Sequence, residues 1–257
     1  MTKVPTMFRI LSIASAVLLT ALSLHAQTTS VSAPGTKHTY WTSSGEWIFT
    51  SPILDVRTPG PNGTENSTDQ GAIIRFSPFF NAMGMLNYDL SEHFGLFTGI
   101  SIRNQGFIYD VPGDSLNRRY KFRTYNVGIP VGFKVGTMNR GLAFFGYELE
   151  LPFNYKEKLF ENERKEDKFN VWFSDRNESL YQSVFVGYQG PGSVTLTVRY
   201  YLTNFHNQDF EETKDGVTTK PYAGLNANIL AVSLGYALFD GRKMEFTRAT
   251  AEPRAMR

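Results

Sequence analysis

Ala143 to Tyr155 alternates over its whole length. Ala143, Phe145, Tyr147, Leu149, Leu151, Phe153 and Tyr155 share one parity, while Phe144, Gly146, Glu148, Glu150, Pro152 and Asn154 share the other. An extended strand sends these two sets to opposite faces. One face is greasy from end to end and the other is small and charged. This predicts a strand with lipid on one side and a polar lumen on the other. The period recurs. Val127, Ile129, Val131, Phe133 and Val135 oppose Asn126, Gly128, Pro130, Gly132 and Lys134. Leu196, Val198 and Tyr200 oppose Thr195, Thr197 and Arg199; Leu230, Val232, Leu234 and Tyr236 oppose Ala231, Ser233 and Gly235. Leu96, Ile100 and Ile102 oppose Gly99, Ser101 and Arg103. Each greasy run is about ten residues, the length a tilted strand needs to cross hydrocarbon.

Eight such segments are predicted, at 45–56, 71–90, 94–109, 119–136, 142–157, 180–189, 193–206 and 223–239. The second is noisier, with Phe79, Met83 and Met85 on the parity of Arg75, and the first is ambiguous in parity. Connections alternate between short turns (91–93, 137–141, 190–192) and long polar loops (57–70, 110–118, 158–179, 207–222). The fold class this predicts is all-β: an eight-stranded antiparallel up-and-down transmembrane β-barrel with short periplasmic turns and long outer loops. Closure is required because each unpaired peptide group in lipid costs several kcal/mol. Pro78, Pro130 and Pro152 fall inside strands, where each removes a ladder donor, and are expected to mark bulges.

The first residues read differently. Lys3 and Arg9 precede an apolar run from Ile10 to Leu22, with Ala26 at a cleavage position. Residues 1–26 are therefore expected to be a cleaved signal peptide, 27–44 a flexible leader, 45–239 the barrel and 240–257 a basic tail. Without Lys3 and Arg9, 24 basic residues balance 24 acidic ones, so no basic stripe points to nucleic acid. The chain has no cysteine, which excludes disulfides, thiolate metal sites and a lipid-modified cysteine anchor.

By parity the lumen-facing charges are Arg75, Arg103, Lys134, Glu148, Glu150 and Arg199. An eight-stranded barrel is just wide enough to be filled by side chains, and buried charges must pair. An ionic plug is the plain expectation; a narrow ion pathway or ligand site is the sharper alternative. No catalytic, cofactor-binding or metal-binding residue is assigned, since HExxH, GxSxG and phosphate-loop patterns are all absent. His206, where the seventh segment meets its loop, reads as a polar side chain facing water at the outer rim; a general base for lipid chemistry is the alternative. Asn62, Asn66 and Asn177 match a glycosylation pattern that carries little weight here. The run from Lys156 to Lys168 reads as the solvated top of a hairpin; the alternative is a protruding contact surface for a partner protein or lipopolysaccharide, whose phosphates would suit Lys156, Lys158, Arg164, Lys165 and Lys168.

The signal at 1–26, the hairpin rhythm and the last segment from Asn228 to Phe239 carry a resemblance. The chain resembles the small outer-membrane β-barrel domain family of Gram-negative bacteria, the OmpA/OmpX-like and PorT-like eight-stranded barrels. It departs from them in continuing past Phe239. The resemblance implies an integral, non-enzymatic outer-membrane protein with a structural or interaction role through its outer loops and no cofactor. Implied partners are outer-membrane lipids, lipopolysaccharide, the barrel-assembly machinery during insertion and a membrane protein partner. A soluble lipocalin-like barrel with its greasy face inward is the alternative architecture.

Overall fold

The computed structural model describes residues 39–59, 65–68, 71–138, 141–214 and 216–241. The expected signal peptide, most of the expected leader and nearly all of the expected tail lie outside the described residues. Strand β1 (Thr39–Pro59) starts six residues before the expected 45 and takes Thr39–Ser44 from the leader. The second segment is divided into β3 (Ala72–Ile73), β4 (Arg75–Ser77) and β5 (Ala82–Asp89), preceded by β2 (Glu65–Thr68), which pairs with the end of β1. Then come β6 (Phe94–Asp110), β7 (Arg119–Thr137), β8 (Gly141–Glu161), β9 (Arg164–Trp172) and β10 (Tyr181–Gln189). The chain finishes with β11 (Thr195–Tyr201), a small loop hairpin of β12 (Glu212–Lys214) and β13 (Val217–Thr219), and β14 (Leu225–Asp240).

Pairing closes a ring. β1, β5, β6, β7, β8, β10, β11 and β14 follow one another as antiparallel neighbours, and β14 returns to β1 from Thr42↔Asp240 to Val56↔Leu225. Alternation fixes which way each wall faces. Val131, Leu149, Val186, Val198 and Leu234 are all exposed on the outside, whereas Ser101, Thr124, Glu148 and Ser183 are buried inside. That is the reverse of a lipocalin-like barrel.

Two irregularities shape the wall. Gly45 pairs with Ala82 and Ile48 with Ser77, so the four residues 78–81 pass opposite only Glu46 and Trp47. Pro78 opens this bulge because it has no N–H for the ladder. Asn81 repairs it: its Nδ2 donates to the Ser77 carbonyl at 2.8 Å and its Oδ1 accepts from Asn104 N at 2.8 Å. The second lies beside Pro152. Tyr125 pairs with Asn154 and Asn126 with Pro152, leaving Phe153 unpaired. One extra residue inverts the parity beyond it. Tyr155, expected on the greasy outer face, is fully buried inside. Pro130 pairs with Glu148 in register and makes no bulge, contrary to expectation.

Two further boundaries differ from expectation. Residues 164–172, expected within a loop, form β9, which pairs with the end of β8 while β7 pairs with its other edge, so that β7, β8 and β9 run on together as an arm. The turn between β8 and β9 is Asn162–Glu163, both at positive φ (46° and 68°), as a tight two-residue hairpin demands. The seventh strand stops at Tyr201 rather than 206. There Asn204 Oδ1 takes the N–H groups of Phe205 (2.9 Å) and Ala227 (2.8 Å) in place of a ladder partner.

Candidate functional site

The interior is stacked in layers. At the end nearest the short turns, Met85, Phe97, Met138, Leu142, Phe144 and Phe185 form an apolar plug. At the loop end a larger cluster holds Phe107, Phe122, Tyr155, Tyr181, Tyr201, Phe205 and Tyr222. Between them lies a charged layer.

Glu148 and Glu150 on β8 are its centre, both fully buried. Arg103 approaches from β6, with β7 between, and meets Glu148 at 3.2 Å and Glu150 at 3.6 Å. Arg199 approaches from β11, with β10 between, and meets the same carboxylates at 2.6 Å and 3.8 Å. Glu46 on β1 takes the other side of Arg103. Remaining lone pairs are filled by donors. Ser101 Oγ donates to Glu148; Tyr201 O–H and Asn126 Nδ2 donate to Glu150 at 2.7 and 2.8 Å. Arg199 also donates to Ser183 Oγ at 2.7 Å and lies 4.4 Å over the Phe185 ring. Buried ions are tolerated only when matched in this way.

Gly128 makes the span possible. It pairs with Ser101 on one side and Glu150 on the other, and a Cβ there would lie 2.6 Å from Ser101 Oγ and 2.9 Å from Glu150 Cγ.

The six residues singled out by parity do not form one site. Arg103, Glu148, Glu150 and Arg199 come together. Lys134 sits a layer lower, donating to Asp89 Oδ1 at 2.6 Å, Tyr40 O–H at 2.7 Å and Asn87 Oδ1 at 3.1 Å. Arg75 lies in the seam between β4 and β6, donating to the Asn104 carbonyl at 3.1 Å and Asn104 Oδ1 at 2.6 Å. Sequence parity missed Glu46. Ile48 and Leu54 are buried inside while Phe49 and Ile53 are exposed outside, so both faces of β1 are greasy. Beside Arg103 and Arg199 the free space is about 10 Å³, no more than the roughly 10–15 Å³ that one water needs.

His206 is not a surface residue. It is fully buried above the barrel wall, stacked on Tyr222 at 4.3 Å and edge-on to Phe122 at 4.4 Å. Burial, and then Arg176, push it down from the ordinary histidine value of 6.5 to about 3. Its Nδ1 has no partner and its Nε2 lies 3.4 Å from the Tyr155 hydroxyl. Among the described residues no serine or aspartate hydrogen-bonds to it, so no nucleophile and base are assembled. Asn177 is also buried, bridged to His206. Glu157 accepts from Tyr155 at 2.8 Å and Tyr222 at 2.7 Å; Arg176 donates to Tyr222 at 3.1 Å and pairs with Glu212. Glu157, Arg176, Glu212 and Tyr222 floor a cavity of about 680 Å³ walled by Tyr109, Tyr120 and Phe169. A cavity of that size and lining fits the general form of a ligand cleft.

No family model matches this chain, and no curated protein matches it. Solved structures similar to it include Ail, the attachment invasion locus protein of Yersinia pestis, in complex with the heparin analogue sucrose octasulfate. That match has 9% identity and a TM-score of 0.34, over 76% of this chain and 98% of that one. Neisserial surface protein A is similar at 10% identity and a TM-score of 0.34, over 79% and 98% of the two chains. A FadL homologue of Pseudomonas aeruginosa is similar at 10% identity and a TM-score of 0.18, over 78% and 90%. Likenesses at these scores carry no function, and the eight-stranded barrel rests on the closed ring of pairings that the chain itself makes.

Proposed function

We propose that this protein is an integral outer-membrane barrel, neither an enzyme nor an open pore, that acts as a binding platform through its outer arm and loops. One observation carries the reading: the ring exposes apolar side chains outward from every wall strand while its interior is filled by paired charges and aromatic layers. Water would penalise that exterior, whereas lipid favours it. A signal peptide at 1–26 would direct export, and insertion would require the barrel-assembly machinery. Outer-membrane lipids, lipopolysaccharide among them, are the first partners such a wall would meet. A membrane protein partner would dock on the loops or the arm.

The test is heat-modifiable migration of the protein extracted from membranes, with the folded form resistant to protease. Recovery of the folded chain from the soluble periplasm without detergent would overturn the reading. In planar bilayers the folded barrel should show no steady conductance, because the charged layer leaves no continuous water path.

A further inference from the structure

Two rows on the outer face of the arm hold five cations and no anion. Pairing across β7, β8 and β9 sets Arg123 beside Lys156 and Asn170, and Lys121 beside Lys158 and Lys168. These rows are two residues apart along the strands, roughly 7 Å, on strands about 4.8 Å apart. Like charges directly opposite one another destabilise a sheet. Among the described residues none of the five cations is in an ion pair. Glu157, which lies between the rows in sequence, points to the inner face and is taken by Tyr155, Tyr222 and Arg176. The arm thus separates its charges, with the carboxylate inside and the ammonium and guanidinium groups outside. Burial, and then Arg123 and the neighbouring lysines, hold Lys156 and Lys158 below the ordinary lysine range. Arg123 Nε is buried without a hydrogen-bond partner.

Directly below the rows lies an aromatic row on the same face. Tyr125 stacks on Phe153 at 6.3 Å, Phe153 stacks on Trp172 at 5.8 Å, and Arg123 lies 4.8 Å over the Tyr125 ring. Below these come Ile129, Val131 and Leu149, exposed on the greasy wall. Aromatic side chains in such a position mark the level of lipid headgroups. The five cations stand just above that level.

We propose that Lys121, Arg123, Lys156, Lys158 and Lys168 form a binding site for the phosphoryl groups of a phosphorylated glycolipid of the surrounding leaflet, its acyl chains lying against the wall below. Two rows of donors suit two phosphates, and the Arg123 guanidinium adds a planar charge-assisted donor to the four ammonium groups. The site rests on the reading of the barrel as an integral membrane protein.

The experiment uses the full chain refolded into phosphatidylcholine vesicles, with and without bisphosphorylated lipid A, and a dephosphorylated lipid A as control. Binding is read as lipid adducts by native mass spectrometry from detergent. The protein is compared with the combined variant R123Q, K156Q, K158Q and K168Q and with K220Q, which removes a lysine from another loop. The expected result is loss of bisphosphorylated adducts by at least about tenfold in the combined variant. K220Q should bind as the unaltered protein, and both variants should keep heat-modifiable migration. Equal binding of the phosphorylated and dephosphorylated lipids overturns the site, as does full retention in the combined variant. Displacement of the lipid by soluble sulfated polysaccharide at lower concentration would also overturn it, in favour of a soluble polyanion. Failure of the unaltered protein to insert into any vesicle instead overturns the membrane reading itself.

Discussion

Arg103 and Glu148 meet at 3.2 Å across the barrel interior although a whole strand, β7, stands between theirs. Gly128 on β7 leaves the gap they close. Two consequences can be measured. Glu148→Ala should cost about 3–5 kcal/mol, because Arg103 and Arg199 both lose a buried counter-charge. Gly128→Leu should approach that loss without removing any charge, by driving a side chain between Ser101 and Glu150. Urea midpoints of the barrel refolded in detergent micelles check both. A Gly128→Leu midpoint equal to that of the unaltered protein would show that the gap is not needed.

The outer wall gives an opposite sensitivity one residue away. Leu149→Arg and Val131→Arg should block stable assembly, since an Arg at the bilayer midplane costs roughly 2–4 kcal/mol. Both positions are exposed outward, at 38% and 46%. Glu148→Gln should still assemble, with a lowered midpoint, because it touches only the interior. The folded fraction of each variant in bilayers, read by heat-modifiable migration, decides. Assembly of Leu149→Arg with failure of Glu148→Gln would mean the wall faces the other way.

Phe153 is the extra residue of its bulge, so removing it should leave a regular ladder with Tyr155 still inside. Deletion of Phe153 is therefore expected to fold, with Trp172 losing its stacking partner and a blue- or red-shifted emission as the only large change. Deletion of Tyr147, upstream of both carboxylates, should instead close the bulge by sliding Glu148 opposite Val131 and Glu150 opposite Ile129, turning both toward lipid and preventing folding. If both deletions behave alike, parity does not govern this strand.

His206 should make the loop end acid-sensitive. Its folded value is about 3 and its ordinary value 6.5, so below 6.5 the unfolded chain takes up a proton that the folded chain refuses. Stability from this group is fully present above pH 6.5 and falls steadily as the pH drops toward 3. His206→Phe keeps a ring against Tyr222 and has no proton to bind. It should flatten the pH dependence of hydrogen exchange in residues 202–224 across that window, and an unchanged slope would exclude His206 as its source.

The two-residue period was legible from the chain alone, because side chains on any strand must alternate whatever surrounds them. From it follow the greasy faces of β7, β8, β11 and β14, the hairpin rhythm and the need to close the ring in lipid. Parity also puts Glu148 and Glu150 on one face of one strand. It could not say that Arg103 and Arg199, on strands that are not neighbours of β8, converge on those two carboxylates; register and closure decide that. Glu46 was invisible because β1 is apolar on both faces, packing Ile48 and Leu54 inward while Phe49 and Ile53 face out. Tyr155 was misplaced because a single bulge at Phe153 inverts everything after it, and Pro152 marks the neighbourhood of a bulge without counting its residues. The burial of His206 and the separation of charge across the arm belong wholly to tertiary structure. Both depend on which residues of distant segments are brought opposite one another, and no local period records that.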